Sequence, residues 1–242
     1  MSEPLKEHHE RLLDDLPPGH LVGPSRDPHP LVWLSNGPVR GAADWWARLY
    51  SRHSETGLYP LLLEYPDGSF EPVGGDYAAG IDAASYLQRK WTKDAWEPFE
   101  EWPGLAAPAA VVTDVALPAR ELATALVRSS WTQCLALVEV SRGADAPAAL
   151  NWCGSANHIT AKELSAVLRS WEDRFGVRVV GFGHGSLHVS VAAPPTDIDQ
   201  ARVLTAEHYV ACPDWFYVEP SMDWETYPEE LMKRHEWEFW WD

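Results

Sequence analysis

The stretch VRVVGFGHGSLHVSV, residues 177–191, decides the fold. Two apolar runs, each too short for a helix and rich in β-branched residues, meet through Gly183–Ser186. That pattern predicts antiparallel strands at 177–183 and 186–192 closed by a glycine-rich turn. In the second run Leu187, Val189 and Val191 alternate with His188 and Ser190. The first set is therefore assigned to the core and the second to the opposite face, where His184 and His188 are read as exposed. Within the same stretch GFGHGSLH (181–188) offers G-x-G-x-G after a strand. A dinucleotide fingerprint needs a helix next, whose N-terminal amides hold the phosphates; here a second strand follows, which excludes it.

Working outward, Thr160 and Glu163 form a capping box, with Ile159 and Leu164 placed as a hydrophobic staple. Leu164, Val167, Leu168, Trp171 and Phe175 then fall on one helical stripe, and Gly176 suits the left-handed position that ends the helix. LALVEV (135–140) reads as a buried strand. Pro194 and Pro195 stop the second hairpin strand, and Thr196 opens a helix to about Ala211. The result is a β-α-β-β-α half.

The chain closes on HEWEFWWD (235–242), where Trp237, Phe239 and Trp241 alternate with Glu236, Glu238 and Trp240. Trp237, Trp240 and Trp241 also fit a helical stripe, so periodicity alone does not decide; aromatic β-propensity favours a final strand, and on either reading the segment packs into the core. Nearer the N-terminus, residues 3–16 read as an amphipathic helix ended by Pro17–Gly19. HPLVWLSNG (29–37) reads as a buried strand with an Asn-Gly turn. Residues 41–53 read as a helix, Leu61–Glu64 as a buried strand followed by a Pro-Asp-Gly turn, and 80–95 as another helix. The expected fold is α/β or α+β, built on a mixed sheet. WPGLAAPAA (102–110) is the best linker candidate between an N-terminal α/β region (1–110) and a C-terminal domain (119–242), the alternative being a loop on the surface of one domain.

The chain carries 36 acidic against 19 basic residues, a net charge of −17. A phosphate binder needs a basic stripe, so this balance argues against nucleic acid. No apolar run approaches the length of a membrane span, and MSEPLKEHHERLLDDL (1–16) lacks the apolar core of a signal peptide. Three widely spaced cysteines fit reduced thiols, so a cytoplasmic protein is expected. Fourteen arginines against five lysines point to a GC-rich bacterial genome. Fourteen tryptophans are an unusual number, and most are assigned to the core.

Several segments together resemble the bacterial family known as domain of unknown function 4253, of actinobacterial type. They are TGLYPLLLE (56–64), ELSAVLRSWEDRFGVRVVG (163–181), LHVSVAAPP (187–195), AEHYVACPD (206–214) and WEFWWD (237–242). The likeness is strongest over about 133–242. NWCGSANHIT (151–160) is similar to a Trp-Gly-Gly-Asn type of loop with Cys153 in place of a glycine. The resemblance implies a fold and brings with it no activity, cofactor or catalytic residue.

No nucleophile elbow, P-loop or HExxH motif is present. Two constellations remain. His208 and Cys212 are four apart on one helix face, and Cys153 and His158 lie in the loop before another helix. Together they would make a Cys₂His₂ zinc set, although their spacings match no standard finger. Ser155 in the same loop is a weak nucleophile candidate beside Asn157 and His158. The second constellation is acidic and aromatic. Residues 214–242 hold nine Asp or Glu against one Lys and one Arg, interleaved with aromatic rings. Asp214, Trp215, Tyr217, Glu219 and Trp224 are its candidate binding residues, for a basic protein partner steered by the carboxylates. The expected function is a non-enzymatic binding factor, immunity-like or regulatory. The alternative is an enzyme or metal-binding protein with a site between the 151–160 loop and the helix ending at Cys212.

Overall fold

The computed structural model describes residues 16–23, 32–64, 80–91, 99–109, 114–129, 133–218 and 223–242. The helix expected at 3–16 lies outside them except for its last residue, as do the Pro-Asp-Gly turn at 66–68 and Glu219. The described residues form an α/β fold around one mixed seven-stranded sheet, ordered β1-β2-β4-β3-β5-β6-β7.

The strands are β1 (Gly19–Val22), β2 (Val32–Ser35), β3 (Leu58–Glu64), β4 (Gln133–Glu139), β5 (Arg178–Phe182), β6 (Ser186–Ser190) and β7 (Glu236–Trp240). Among the described residues only β3 and β5 pair in parallel, with Leu62 opposite Gly181; the other pairs are antiparallel. Strand β3 is hydrogen-bonded to β4 on one side and β5 on the other, so the sheet runs straight across the linker candidate at 102–110. Its first six residues are all buried, as expected of a central strand covered on both faces. A Cβ on Gly181 would stand 2.8 Å from the Leu62 carbonyl oxygen, so glycine lets the two strands meet there.

Two helices cover one face: α1 (Ala42–Tyr50) and α4 (Ala116–Arg128). Trp46, Leu49, Leu122 and Leu126 pack there on Leu58, Leu62, Leu135 and Val180. Between them in sequence come the single turn α2 (His53–Thr56) and α3 (Ala83–Lys90). The latter meets the expectation of a helix at 80–95 over its described part. The other face carries α5 (Ala146–Leu150), α6 (Ala161–Phe175), α7 (Ile198–Ala211), α8 (Pro213–Val218) and α9 (Thr226–Leu231). Its core joins Leu164, Leu168, Trp171 and Phe175 to Leu187, Val189, Trp237 and Phe239. Among the described residues no helix is long and apolar enough to cross a membrane.

Helix α6 forms as its local signals dictate. The Glu163 amide donates to Thr160 Oγ1, and the Thr160 amide donates to Glu163 Oε2 at 3.0 Å. Gly176 ends the helix at φ 65°, a conformation that costs other residues energy. The hairpin β5–β6 and the final strand β7 stand where the alternation put them; β7 pairs with β6, Val189 opposite Trp237 and His188 opposite Glu238. Trp237, Phe239 and Trp241 are buried while Glu236 and Glu238 are exposed.

One expectation fails. His188 and Ser190 do face away from the main core, but they are not exposed: all five residues of β6 are buried. Helix α4, which sequence reading left unassigned, lies over that face and excludes water from it. Burial holds His188 neutral, lowering its pKa from 6.5 to about 4.

The linker candidate is also bound down. The Ala106 amide donates to Glu207 Oε1 at 2.7 Å, Arg174 Nη1 donates to the Ala106 carbonyl at 2.9 Å, and Gln200 Nε2 donates to the Ala107 carbonyl at 2.7 Å. Residues 102–109 thus form a strap across α6 and α7, and their Pro/Ala composition reflects a shaped loop.

Candidate functional site

The 151–160 loop and the chain just beyond α7 do meet, though through different residues from those expected to bind zinc. Asp214, in the first turn of α8, sits 2.9 Å from His158 Nε2 and accepts the Asp242 amide at 3.0 Å. Asn157 Nδ2 closes the circuit by donating to the Asp242 carbonyl at 2.7 Å. Loop, helix start and the end of the last strand are therefore tied into one surface.

The four proposed zinc ligands are not assembled. Cys212 caps α7, and its Sγ donates to the Trp240 carbonyl at 3.0 Å; burial pushes its thiol up to about 12, far from the thiolate a metal requires. His208 lies fully buried within a box of rings, with centroids 4.5 Å from Trp237, 4.7 Å from Trp171 and 5.0 Å from Phe239. Its Nδ1 shares a hydrogen bond of 2.9 Å with the Tyr227 hydroxyl. Burial first, and the Arg174 charge second, hold it well below the usual histidine range. Cys153 stays on an exposed turn, and His158 faces Asp214. Among the described residues no group of three or more His, Cys, Asp or Glu could hold a metal ion. Two side chains four apart on a helix can share an ion only if that face is open; here the aromatic strand β7 fills it. Ser155 is likewise buried, its hydroxyl donating to the Ile159 carbonyl at 3.0 Å, so it shapes the loop instead of presenting a nucleophile.

The acidic and aromatic candidates fare differently. Phe216 stacks on Trp224 with ring centroids 5.7 Å apart and meets Tyr227 edge-on at 5.0 Å. Tyr209 packs against Phe216 and Trp224, and its hydroxyl lies 2.9 Å from that of Tyr217. On this bed Tyr217 and Val218 stand out, 65% and 61% exposed. Trp215 and Trp224 are half-buried and support them. Phe216 is among the aromatic rings that the sequence offers in 214–242, but that it forms the bed with Tyr209 is not legible there. Sequence reading missed Trp91, which touches Tyr209 from α3's end and depends on tertiary structure alone. The two basic residues of 214–242 other than histidine, Lys233 and Arg234, both turn to Glu230, leaving the exposed Asp223, Glu225 and Glu229 to set the sign of the surface.

The fold and this surface define an α/β protein whose β-α-β-β-α unit is closed by a C-terminal aromatic strand. Residues 134–242, from β4 to the last residue given, match the model of the family described as a domain of unknown function, DUF4253. The matched span agrees with the region of strongest likeness read from the sequence; β1 to β3 and α1 to α4 lie outside it. No curated protein and no solved structure matches the chain.

The two buried histidines predict acid sensitivity. A histidine whose folded pKa is depressed takes up its proton more readily unfolded, so stability is lost as pH falls from about 6.5 toward the folded value. For His188, with a folded pKa of about 4, the loss is about 2 kcal/mol by pH 5, and His208 adds to it in the same direction. Urea titrations at pH 7.5 and pH 5.0 should show the midpoint dropping, with a smaller drop in His188→Gln. An equal drop in that variant would assign the acid effect elsewhere.

Proposed function

We propose that the chain is a non-enzymatic binding factor, immunity-like or regulatory, whose acidic, aromatic C-terminal face takes up a basic protein partner. One observation carries this reading: Tyr217 and Val218 project from a packed aromatic bed within a segment, 214–242, that holds nine acidic residues. A rigid bed lets an exposed ring bind with little loss of side-chain entropy, and the carboxylates raise the encounter rate of a positive partner. The composition and the resemblance support a cytoplasmic, actinobacterial setting.

A second reading is favoured by the His158–Asp214 pair. A carboxylate holding an imidazole 2.9 Å away is how a general base is oriented, and the exposed Cys153 lies in the same loop. Affinity capture from native lysate with a salt gradient separates the two. The wild-type chain should retain a basic protein that moderate salt releases, Tyr217→Ala should lose most of it, and His158→Ala should keep it. Capture unaffected by Tyr217→Ala, or abolished only by His158→Ala, moves function to the loop.

A further inference from the structure

Where α4 leaves the sheet, its flank and the β6–β7 end enclose a groove of about 350 Å³. Leu122, Ala125 and Leu126 form one wall, Glu236 and Glu238 the other, and His188 lines it as well. The two walls have opposite chemistry. The α4 wall is apolar, and Glu236 and Glu238 share one side of β7, since residues two apart on a strand point the same way. Among the described residues lining the groove none is Lys or Arg.

Arg234, the cation that acts on Glu238 through space, is itself paired with Glu230 at 3.1 Å. Partial desolvation, and the neighbouring Glu236 charge, raise the Glu238 carboxyl above its ordinary range. The imidazole in the groove stays neutral and offers no counter-charge. Among the described residues that line the groove, no cation offsets the negative potential of the two carboxylates. A second copy of this chain would bring further carboxylates to it, at a net charge of −17 per chain.

We propose that this groove takes the side chain of a lysine from a basic protein partner, its methylene stem along Leu122 and Leu126 and its ammonium between Glu236 and Glu238. A long aliphatic stem ending in a compact cation fits a site with one apolar and one acidic wall. The identity of the partner rests on the functional reading above; the groove's chemistry does not.

The test uses the full chain and two probes, Nα-acetyl-lysine methylamide and its norleucine counterpart, which has the stem without the ammonium. Titrations followed by amide NMR should show saturable shifts at Glu236–Glu238 and His188 with the lysine probe. The norleucine probe should bind at least about tenfold more weakly. Glu238→Gln, an exposed position, should weaken the lysine probe by a similar factor, and Ala125→Trp should block it by filling the groove. Equal binding of the two probes, indifference to Glu238→Gln, or tighter binding of an arginine probe would overturn the proposal. Tyr217→Ala should leave probe binding intact. Loss of capture in Tyr217→Ala with no probe binding to the wild type would sink the groove alone; probe binding with no captured partner would sink the functional reading alone.

Discussion

Removal of residues 237–242 is expected to unfold the C-terminal region, leaving no cooperative melt in circular dichroism. Trp237, Phe239 and Trp241 are 3%, 1% and 2% exposed, and each sits in a contact network with other rings. Phe239 stacks on Trp171 at 5.3 Å, Trp237 meets Phe175 and His208, and Trp241 meets Trp152 at 5.6 Å. Truncating a buried aromatic costs about 3–5 kcal/mol, so three together reach about 9–15 kcal/mol, against a typical fold stability of roughly 5–15 kcal/mol. The deletion also uncovers most of β6 and removes the Trp241 N–H that donates to the Gly185 carbonyl just before it. Trp237→Ala and Phe239→Ala should each lower the melting temperature clearly, whereas Glu238→Ala should do little. A truncated chain that melts like the intact one would show that the tail is an appendage, and would make it the first place to look for binding.

Arg174→Ala should be the most damaging single polar substitution in α6. Glu207 is fully buried, and its carboxylate accepts from Arg174 through both oxygens, from the Trp171 indole at 2.9 Å and from the Ala106 amide at 2.7 Å. Loss of the guanidinium strands a buried charge, which costs about 3–5 kcal/mol. At about 2–4 °C per kcal/mol for a chain of this size, the melting temperature should fall by roughly 10 °C. The damage should spread to the strap, because the Arg174 guanidinium also holds the Ala106 carbonyl. The double variant Arg174→Ala/Glu207→Leu should be less damaged than the sum of the singles, since no stranded charge remains. Additive losses would mean that the pair is not coupled in the folded state.

Much of the C-terminal fold was legible because its signals are local. The Thr160–Glu163 box, the stripe from Leu164 to Phe175 and the stop at Gly176 each need only a few consecutive residues, and all three stand where they were read. In HEWEFWWD alternation alone left a helical stripe of Trp237, Trp240 and Trp241 open; aromatic β-propensity favoured the strand, and a strand is what forms. Helix α4 was legible too, in Ala119, Leu122, Ala123 and Leu126 at helical spacing, yet it went unread. That omission made His188 look exposed. Alternation says which face a residue takes, and only the covering element says whether that face is wet.

The candidate site shows the same division. Acid and aromatic residues at 214–242 could be counted from the sequence, and four of the five segments that carry the likeness to the DUF4253 family lie within the matched residues, TGLYPLLLE (56–64) falling outside them. What the chain could not reveal was which rings would be spent inside. His208 and Cys212 share a helix face at a metal-binding spacing, but that face turns to β7, whose rings and Trp240 carbonyl occupy it. Tyr217, one turn further on, points to water. Local sequence determined the helices, the hairpin and the final strand, because backbone hydrogen bonding and side-chain period act over a few residues. Tertiary structure decided the insertion of β3 between β4 and β5, the closure of the His208 box and the open groove beside α4. Each of those depends on which distant segment reaches a surface first and excludes the water from it.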